Sequence, residues 1–345
     1  MKKRSTLVLL VVMAVIIPMV MLTSCTQKAA TTTPPVTTPS ATTTPAKQLT
    51  FVMVPKGVHP YYIPCYQGFV DAGAKYGIKV EEAVPQKFEV PLQVQVIEDL
   101  IAQKVDGIAI SANDDAGLVP VIAEATKAGI KVITFDAPAP SSAALCYIGT
   151  DNESAGSAAA TEMAKLMGNK GNLIILQGGL AASNLNLRTK GFKETMAKIA
   201  PNIKILDVVD EQGDLSVTQT KTEAILEAYP KLNAIFAVSA EIAGANSAVK
   251  DAIAKGRLKQ GQVILGGFDD VTTTLDGIKD GSIAFCLVQK TYKMGWLSIE
   301  NLLAATQGKT LQNIDTGMVI VTKANVATYM DDMKKEFAGA TTGGS

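Results

Sequence analysis

From Leu49 onward, short runs of consecutive apolar residues alternate with segments whose apolar positions recur every three or four residues. Runs of four or five apolar or β-branched residues suit strands covered on both faces, as in parallel sheets. They predict strands over 49–54, 78–84, 105–111, 130–136, 146–150, 172–177, 203–209, 233–238, 262–268, 283–288 and 317–322. Between most of these the spacing is helical. Val94, Ile97, Leu100 and Ile101 fall on one helix face ahead of Asp106-Gly107, and Met163, Leu166 and Met167 run up to Gly168. Strand, helix and strand in this rhythm mean parallel sheets with right-handed crossovers, an α/β fold. No internal sequence repeat is evident.

Two of the predicted strands end alike. Ile130-Lys-Val-Ile-Thr-Phe-Asp136 stops at a carboxylate followed by Pro138 and Pro140, and Val263-Ile-Leu-Gly-Gly-Phe-Asp269-Asp270 stops the same way. In open α/β sheets ligands collect beyond the carboxyl ends of strands, so a polar residue there is placed for binding by topology. Two such ends suggest two lobes facing one cleft, with both aspartates outside the core.

Composition narrows the function. The chain has 345 residues, 47% hydrophobic, long enough for two domains with a core each. Lys+Arg 32 balance Asp+Glu 32, which gives no electrostatic case for nucleic acid or an acidic membrane surface. One His and four Cys supply a metal site poorly, and no cofactor is implied. The N-terminus reads as an export signal: Lys2-Lys3-Arg4 is a basic n-region and Leu7 to Leu22 an apolar h-region. Leu22-Thr23-Ser24-Cys25 resembles the lipobox of bacterial lipoproteins, which implies that Cys25 becomes the lipidated first residue of the mature chain. Residues 26–47 are a Thr/Pro/Ala tract that cannot bury enough surface to fold, hence a tether. Beyond it lie Cys65, Cys146 and Cys286, with no CxxC; one disulfide plus a free thiol and three buried thiols both stay open.

Several motifs then occur in a telling order. They are Pro60-Tyr61-Tyr62 followed by Gly68-Phe69; Ile97-Glu-Asp-Leu-Ile-Ala-Gln-Lys-Val-Asp-Gly-Ile108; Ile133-Thr-Phe-Asp136; Tyr147-Ile-Gly-Thr-Asp-Asn152; Asn184-Leu-Asn-Leu-Arg-Thr-Lys-Gly-Phe192; Gly213-Asp214; Gly267-Phe-Asp-Asp270; and Val288-Gln-Lys-Thr-Tyr-Lys-Met-Gly295. Over residues 49–323 the chain resembles the sugar-binding lipoproteins of bacterial ABC importers, the ribose-binding-protein-like class of periplasmic binding proteins. That resemblance implies the type I fold of the class: two Rossmann-like lobes with parallel sheets, joined by three crossovers, with ligand held between them. Carried onto this chain, the crossovers fall near Thr150/Asp151, Gln289/Lys290 and Asp315/Thr316. The first lobe is then 48–150 plus 290–315, the second 151–289 plus 316–337, and 338–345 a flexible tail of small polar residues.

The resemblance also assigns site residues. The family usually has Asn-Pro-Phe-Phe where this chain has His59-Pro60-Tyr61-Tyr62, which puts His59 at the site and the two rings against the apolar face of a sugar. Asp136 and Asp269 would each accept two hydroxyl hydrogen bonds from the ligand, at ~1.5–3 kcal/mol per charge-assisted bond. Arg188 would reach the ligand from a helix ending at Gly191-Phe192, its planar fork suiting vicinal hydroxyls, with Asn184 one turn earlier on the same face. Gln289 falls at a crossover where the family has a ligand-binding glutamine. Ser239 stands where Asn is frequent, with Glu241 as a compensating residue, which leaves the ligand's identity open; Ala137 stands where ribose-type binders carry Arg, which points to a different hydroxyl pattern in the ligand. Asp214 falls where relatives place a cleft-rim residue, Asp270 reads as the cap of a helix over Thr272–Gly281, and Trp296 reads as core.

Competing functions fit less well. The first strand is followed by Pro55-Lys-Gly-Val-His-Pro60 rather than a Gly-rich phosphate loop, and His59 alone makes no hydrolase triad. A repressor of the lactose type shares the fold but needs an N-terminal helix-turn-helix in place of an export signal. The expectation is a monomeric extracytoplasmic solute-binding protein, anchored through Cys25, that delivers a monosaccharide or polyol unchanged to an ABC permease. The alternative is a ligand-reporting partner of a membrane sensor or chemoreceptor.

Overall fold

The computed structural model describes residues 47–333, so the signal segment, Cys25, the tether up to Ala46 and the tail 338–345 lie outside the described residues. In chain order the elements are β1 (Thr50–Val54), α1 (Tyr62–Tyr76), β2 (Lys79–Glu82), α2 (Val90–Gln103), β3 (Gly107–Ile110), α3 (Asp115–Lys127), β4 (Lys131–Phe135), β5 (Tyr147–Gly149), α4 (Asn152–Leu166), β6 (Gly171–Gln177) and α5 (Ser183–Ile199). There follow β7 (Ile203–Asp210), α6 (Leu215–Ala228), β8 (Ala234–Ala237), α7 (Ile242–Ala254), β9 (Ile264–Phe268), α8 (Thr272–Asp280), β10 (Phe285–Gln289), α9 (Thr291–Thr306), β11 (Ile314–Asp315) and β12 (Met318–Thr322).

Two six-stranded sheets result, ordered β11-β5-β4-β3-β1-β2 and β12-β10-β9-β8-β6-β7. Strand pairs are parallel throughout except β10 with β12, which run antiparallel with Cys286 opposite Val321. Alternation along each strand feeds two core clusters per sheet. Phe51, Met53 and Ile133 pack under α1 and α9, while Val52, Val54 and Val132 pack under α2 and α3. In the second sheet Leu173, Ile175 and Phe236 face α4 and α5, and Ile174, Leu176 and Ile235 face α6, α7 and α8.

The chain passes between the sheets at three places: β5 to α4, β10 to α9, and β11 to β12. Each predicted strand forms within two residues of its expected ends. β11, only two residues long, was not anticipated; the Thr316 amide after it donates to Gly149 O at 2.9 Å and ties the third crossing to the first.

Each lobe also contains one helix pair pressed together on facing glycines. A Cβ on Gly68 would run into the Tyr292 carbonyl, and one on Gly295 into the Cys65 carbonyl, so α1 and α9 touch backbone to backbone. Gly156 and Gly191 do the same for α4 and α5 against the Arg188 and Glu153 carbonyls. Gly191 therefore marks a crossing point mid-helix, and α5 runs on to Ile199 rather than ending at Phe192. Cys65, Cys146 and Cys286 are all free and buried, which settles the thiol question in favour of three thiols. Among the described residues no helix is long and apolar enough to cross a membrane.

Candidate functional site

Between the two sheets lies a cavity of about 280 Å³ walled by residues of both lobes. It brings together His59, Tyr61, Tyr62, Asp136, Asn184, Arg188, Ser239, Asp269 and Gln289, all nine of the sequence-predicted candidates. Among the described residues, Lys56 Nζ donates across the cleft to Asn184 Oδ1 at 2.9 Å, and Ser183 Oγ to Pro138 O at 2.5 Å.

Asp136 and Asp269 follow directly on β4 and β9, and both have left-handed backbone, with φ 56° and 65°. Asp tolerates this region better than most residues, at some cost in strain. Their amides donate to Ile148 O and Leu287 O of the next strand, and the turned backbone aims each side chain into the gap. The expectation that they lie outside the core does not hold, since they are 3% and 5% exposed.

Their partners differ. Asp136 accepts from Tyr61 Oη on Oδ1 at 2.9 Å, and from Tyr62 Oη at 3.1 Å and Ser111 Oγ at 2.6 Å on Oδ2. With three hydroxyls of its own lobe on it, the carboxylate keeps room for about one more donor, not the pair foreseen from sequence. Burial first, and then the charge of Asp136, push both tyrosine hydroxyls well above the ordinary phenol range, so the rings are neutral donors. They stand edge to face, centroids 5.1 Å apart. Asp269 accepts on Oδ1 from Gln289 Nε2 at 3.0 Å, and burial raises its pKa to about 7 although Arg188 and that bond pull the other way.

Arg188 reaches in from α5 with two of its donor positions committed. Nε donates to Asn152 Oδ1 at 2.8 Å and Nη1 to Val238 O at 2.9 Å, while the guanidinium lies 4.1 Å over the Phe268 ring. Nη2 has no hydrogen-bond partner among the described residues, so one edge faces the cavity and the full fork is not free. Gln289 Oε1 and Glu241 Oε2 are likewise buried and unbonded. The cleft wall thus offers a cationic donor, an amide acceptor and a carboxylate acceptor, which matches a ligand carrying several groups that both donate and accept.

Two expectations, for Asp214 and Asp270, need correcting, whereas Trp296 packs on the core as expected. Asp214 caps α6, accepting from the Ser216 and Val217 amides, and points away from the cavity lining. Asp270 does not cap α8, whose N-cap is Val271; its Oδ2 accepts from Tyr329 Oη at 2.5 Å instead. Trp296 is half-buried against the first lobe's core and bonds Glu300 at 2.9 Å. Ala137 is fully buried, so no longer side chain fits there without displacing its surroundings.

Sequence reasoning missed Lys56, Asn113 and Glu211. Lys56 follows β1 in what reads as a loop, yet it is buried and its pKa is lowered to about 8, chiefly by burial. Asn113 donates through Nδ2 to Lys56 O at 2.8 Å and holds that turn. Glu211, inside Val209-Asp-Glu-Gln-Gly213, looks like a surface turn but is fully buried behind Ser239, whose Oγ donates to it at 3.1 Å. A strand running straight into Asp-Glu before a Gly is the one signal that could have pointed to it.

Residues 50–310 match the family model described as a periplasmic binding protein domain. The chain belongs to this family. Among curated relatives, this periplasmic binding protein is 27% identical over 247 residues to the D-ribose/D-allose-binding protein of Pseudomonas aeruginosa, covering 70% of the chain and 75% of the relative. Among solved structures, an ABC transporter solute-binding protein of Burkholderia graminis in complex with D-arabinose superposes with a TM-score of 0.79 at 37% identity, covering 82% of this chain and 98% of that one. The XylFII–LytSN complex superposes with a TM-score of 0.75 at 28% identity, covering 81% and 99%. The two-lobed α/β fold expected from sequence is thereby shown.

Proposed function

We propose that the protein captures a monosaccharide or related polyol between its two lobes and hands it, unaltered, to an ABC permease. The observation that carries this reading is the cleft itself: aromatic rings from one lobe face Arg188, Gln289, Asp269 and Glu241 from the other, with bonding capacity left over on the second side. Relatives named for ribose, allose and arabinose support the choice of ligand class. The nine candidate residues are its contacts, Cys25 its lipid anchor on the outer side of the membrane, and the working unit a monomer. Residues 48–150 plus 290–315 form one lobe and 151–289 plus 316–337 the other. Asp136 and Asp269 act as hydroxyl acceptors rather than as the acid and base of a glycosidase, because three hydroxyls of its own lobe already hold the Asp136 carboxylate in place and leave it room for about one ligand donor. The likeness to XylFII in complex with LytSN supports a second reading, in which a second protein reads the loaded state.

Three crossings act as a hinge, and a ligand touching both lobes favours the closed form. A thermal-shift screen of monosaccharides and polyols should find a ligand that raises Tm as ligand concentration exceeds Kd. Small-angle scattering with that ligand should give a smaller radius of gyration. A screen without hits, or a hit returned chemically changed, would overturn the reading. Labelled fatty acid should enter the wild type in membranes and not Cys25→Ala.

A further inference from the structure

One corner of the cleft is built from acceptors. Glu241, 4% exposed, lines it with Oε2 unbonded among the described residues, and His59 Nε2 stands 3.8 Å from Oε1, beyond hydrogen-bond length. His59 Nδ1 accepts from the Tyr61 amide at 3.1 Å, so the neutral ring carries its hydrogen on Nε2; burial lowers its pKa and keeps it uncharged. Ser239 has given its hydrogen to Glu211 and presents lone pairs to the cavity. Glu211 accepts further from the Gly213 amide at 2.7 Å. In and behind the cleft wall, the carboxyls of Asp136, Asp210, Glu211, Glu241 and Asp269 stand against Lys56 and Arg188. Lys56 is turned to Asn184 and Arg188 to Asn152 and Val238, so neither bonds Glu241.

Resting on the function proposed above, we infer that the Glu241 corner is a subsite for a protonated amine, so that the preferred ligand is an amino-substituted sugar or polyol. A hydroxyl brings one hydrogen and no charge. An ammonium brings three hydrogens and the positive charge that closely spaced buried carboxyls lack. The surroundings show that shortage: burial, and next the charge of Glu241, hold Glu211 protonated up to about pH 8, and burial holds Asp269 protonated up to about pH 7. A bound ammonium replaces such a proton, so binding should release protons to buffer.

The test is calorimetry on the purified protein with matched sets: amino-hexoses, amino-pentoses and amino-inositols, each beside its hydroxyl parent and its N-acetylated form. The expected result is at least one set in which the amine binds about ten-fold tighter than its parent or more, loses that advantage on acetylation, and releases protons when buffers of different ionisation heat are compared. Glu241→Gln should erase the preference, costing the amine about ten-fold more affinity than it costs the hydroxyl parent. Ser239→Ala, which leaves the Glu241 carboxylate in place, should keep the preference for the amine and guards against a Gln variant that fails to fold. Parents binding as well as or better than every amine would overturn the inference and leave the sugar-binding reading standing. No binding by any member would overturn that reading as well.

Discussion

Asp136 and Asp269 stand at the same station on two sheets: after the same Phe, in the same left-handed backbone, each with its amide on the next strand. One has most of its acceptor capacity taken by Tyr61, Tyr62 and Ser111; the other has a single amide on it and a proton that comes and goes near pH 7. Topology decides where such a carboxylate stands, and the donors that neighbouring elements bring decide its work. Asp136 organises an aromatic wall, whereas Asp269 is an adjustable acceptor. The two lobes divide the task accordingly, one presenting a fixed apolar face and the other the bonding capacity.

The sharpest way to break this contrast is Asp136→Ala. Three buried hydroxyls lose their acceptor at about 1–3 kcal/mol each, so urea unfolding should show a loss of ~3 kcal/mol or more. Because replacing both partners by apolar groups is far milder, Tyr61→Phe with Tyr62→Phe should recover much of it. A loss under about 1 kcal/mol would remove the organising role.

Asp269→Asn should behave in the opposite sense. The folded pKa of about 7 lies above the ordinary 3.8, so between those values the folded protein keeps a proton that the unfolded chain has released. Stability from this group is full below pH 3.8 and is lost as pH rises through 7. The asparagine variant should flatten that limb and be more stable above pH 7, by up to about 4 kcal/mol, while sugar affinity falls about 10- to 100-fold. An unchanged pH profile of Tm would contradict the assignment.

The smallest effect is expected at Asn152, which accepts from Arg188 Nε and donates through Nδ2 to Tyr147 Oη at 3.0 Å. Tyr147 in turn donates to the Asp136 carbonyl at 2.9 Å, so a short chain of bonds joins the two sides of the contrast at the first crossing. Asn152→Ala should weaken binding about ten-fold with little change in Tm; the reverse pattern would make the residue structural.

The strand ends were legible because an apolar run that stops at Asp leaves a periodicity any reader can count, and the nine site candidates followed from motif order. The partners of those candidates were not. The bonds from Tyr61 and Tyr62 to Asp136 span more than 70 positions, and no local pattern encodes which hydroxyl meets which carboxylate. Lys56 and Glu211 sit in polar, turn-like sequence, yet Lys56 is buried against Asn184 of the opposite lobe and Glu211 behind Ser239 of its own. The helix boundary at Gly191 was misread because a glycine admitted for close approach looks, in sequence, like a glycine that stops a helix.

The threefold crossing has a consequence for how the chain is made. Met294, Ile299 and Leu302 of α9 complete a core begun by Phe51 and Phe69, and the edge strands β11 and β12 close one sheet each. Synthesis runs from the N-terminus, so neither lobe can finish until residues 314–322 have emerged. Contacts this distant in sequence also slow the search for the native state. For a chain bound for the far side of a membrane, as proposed here, that delay keeps it threadable until it has crossed.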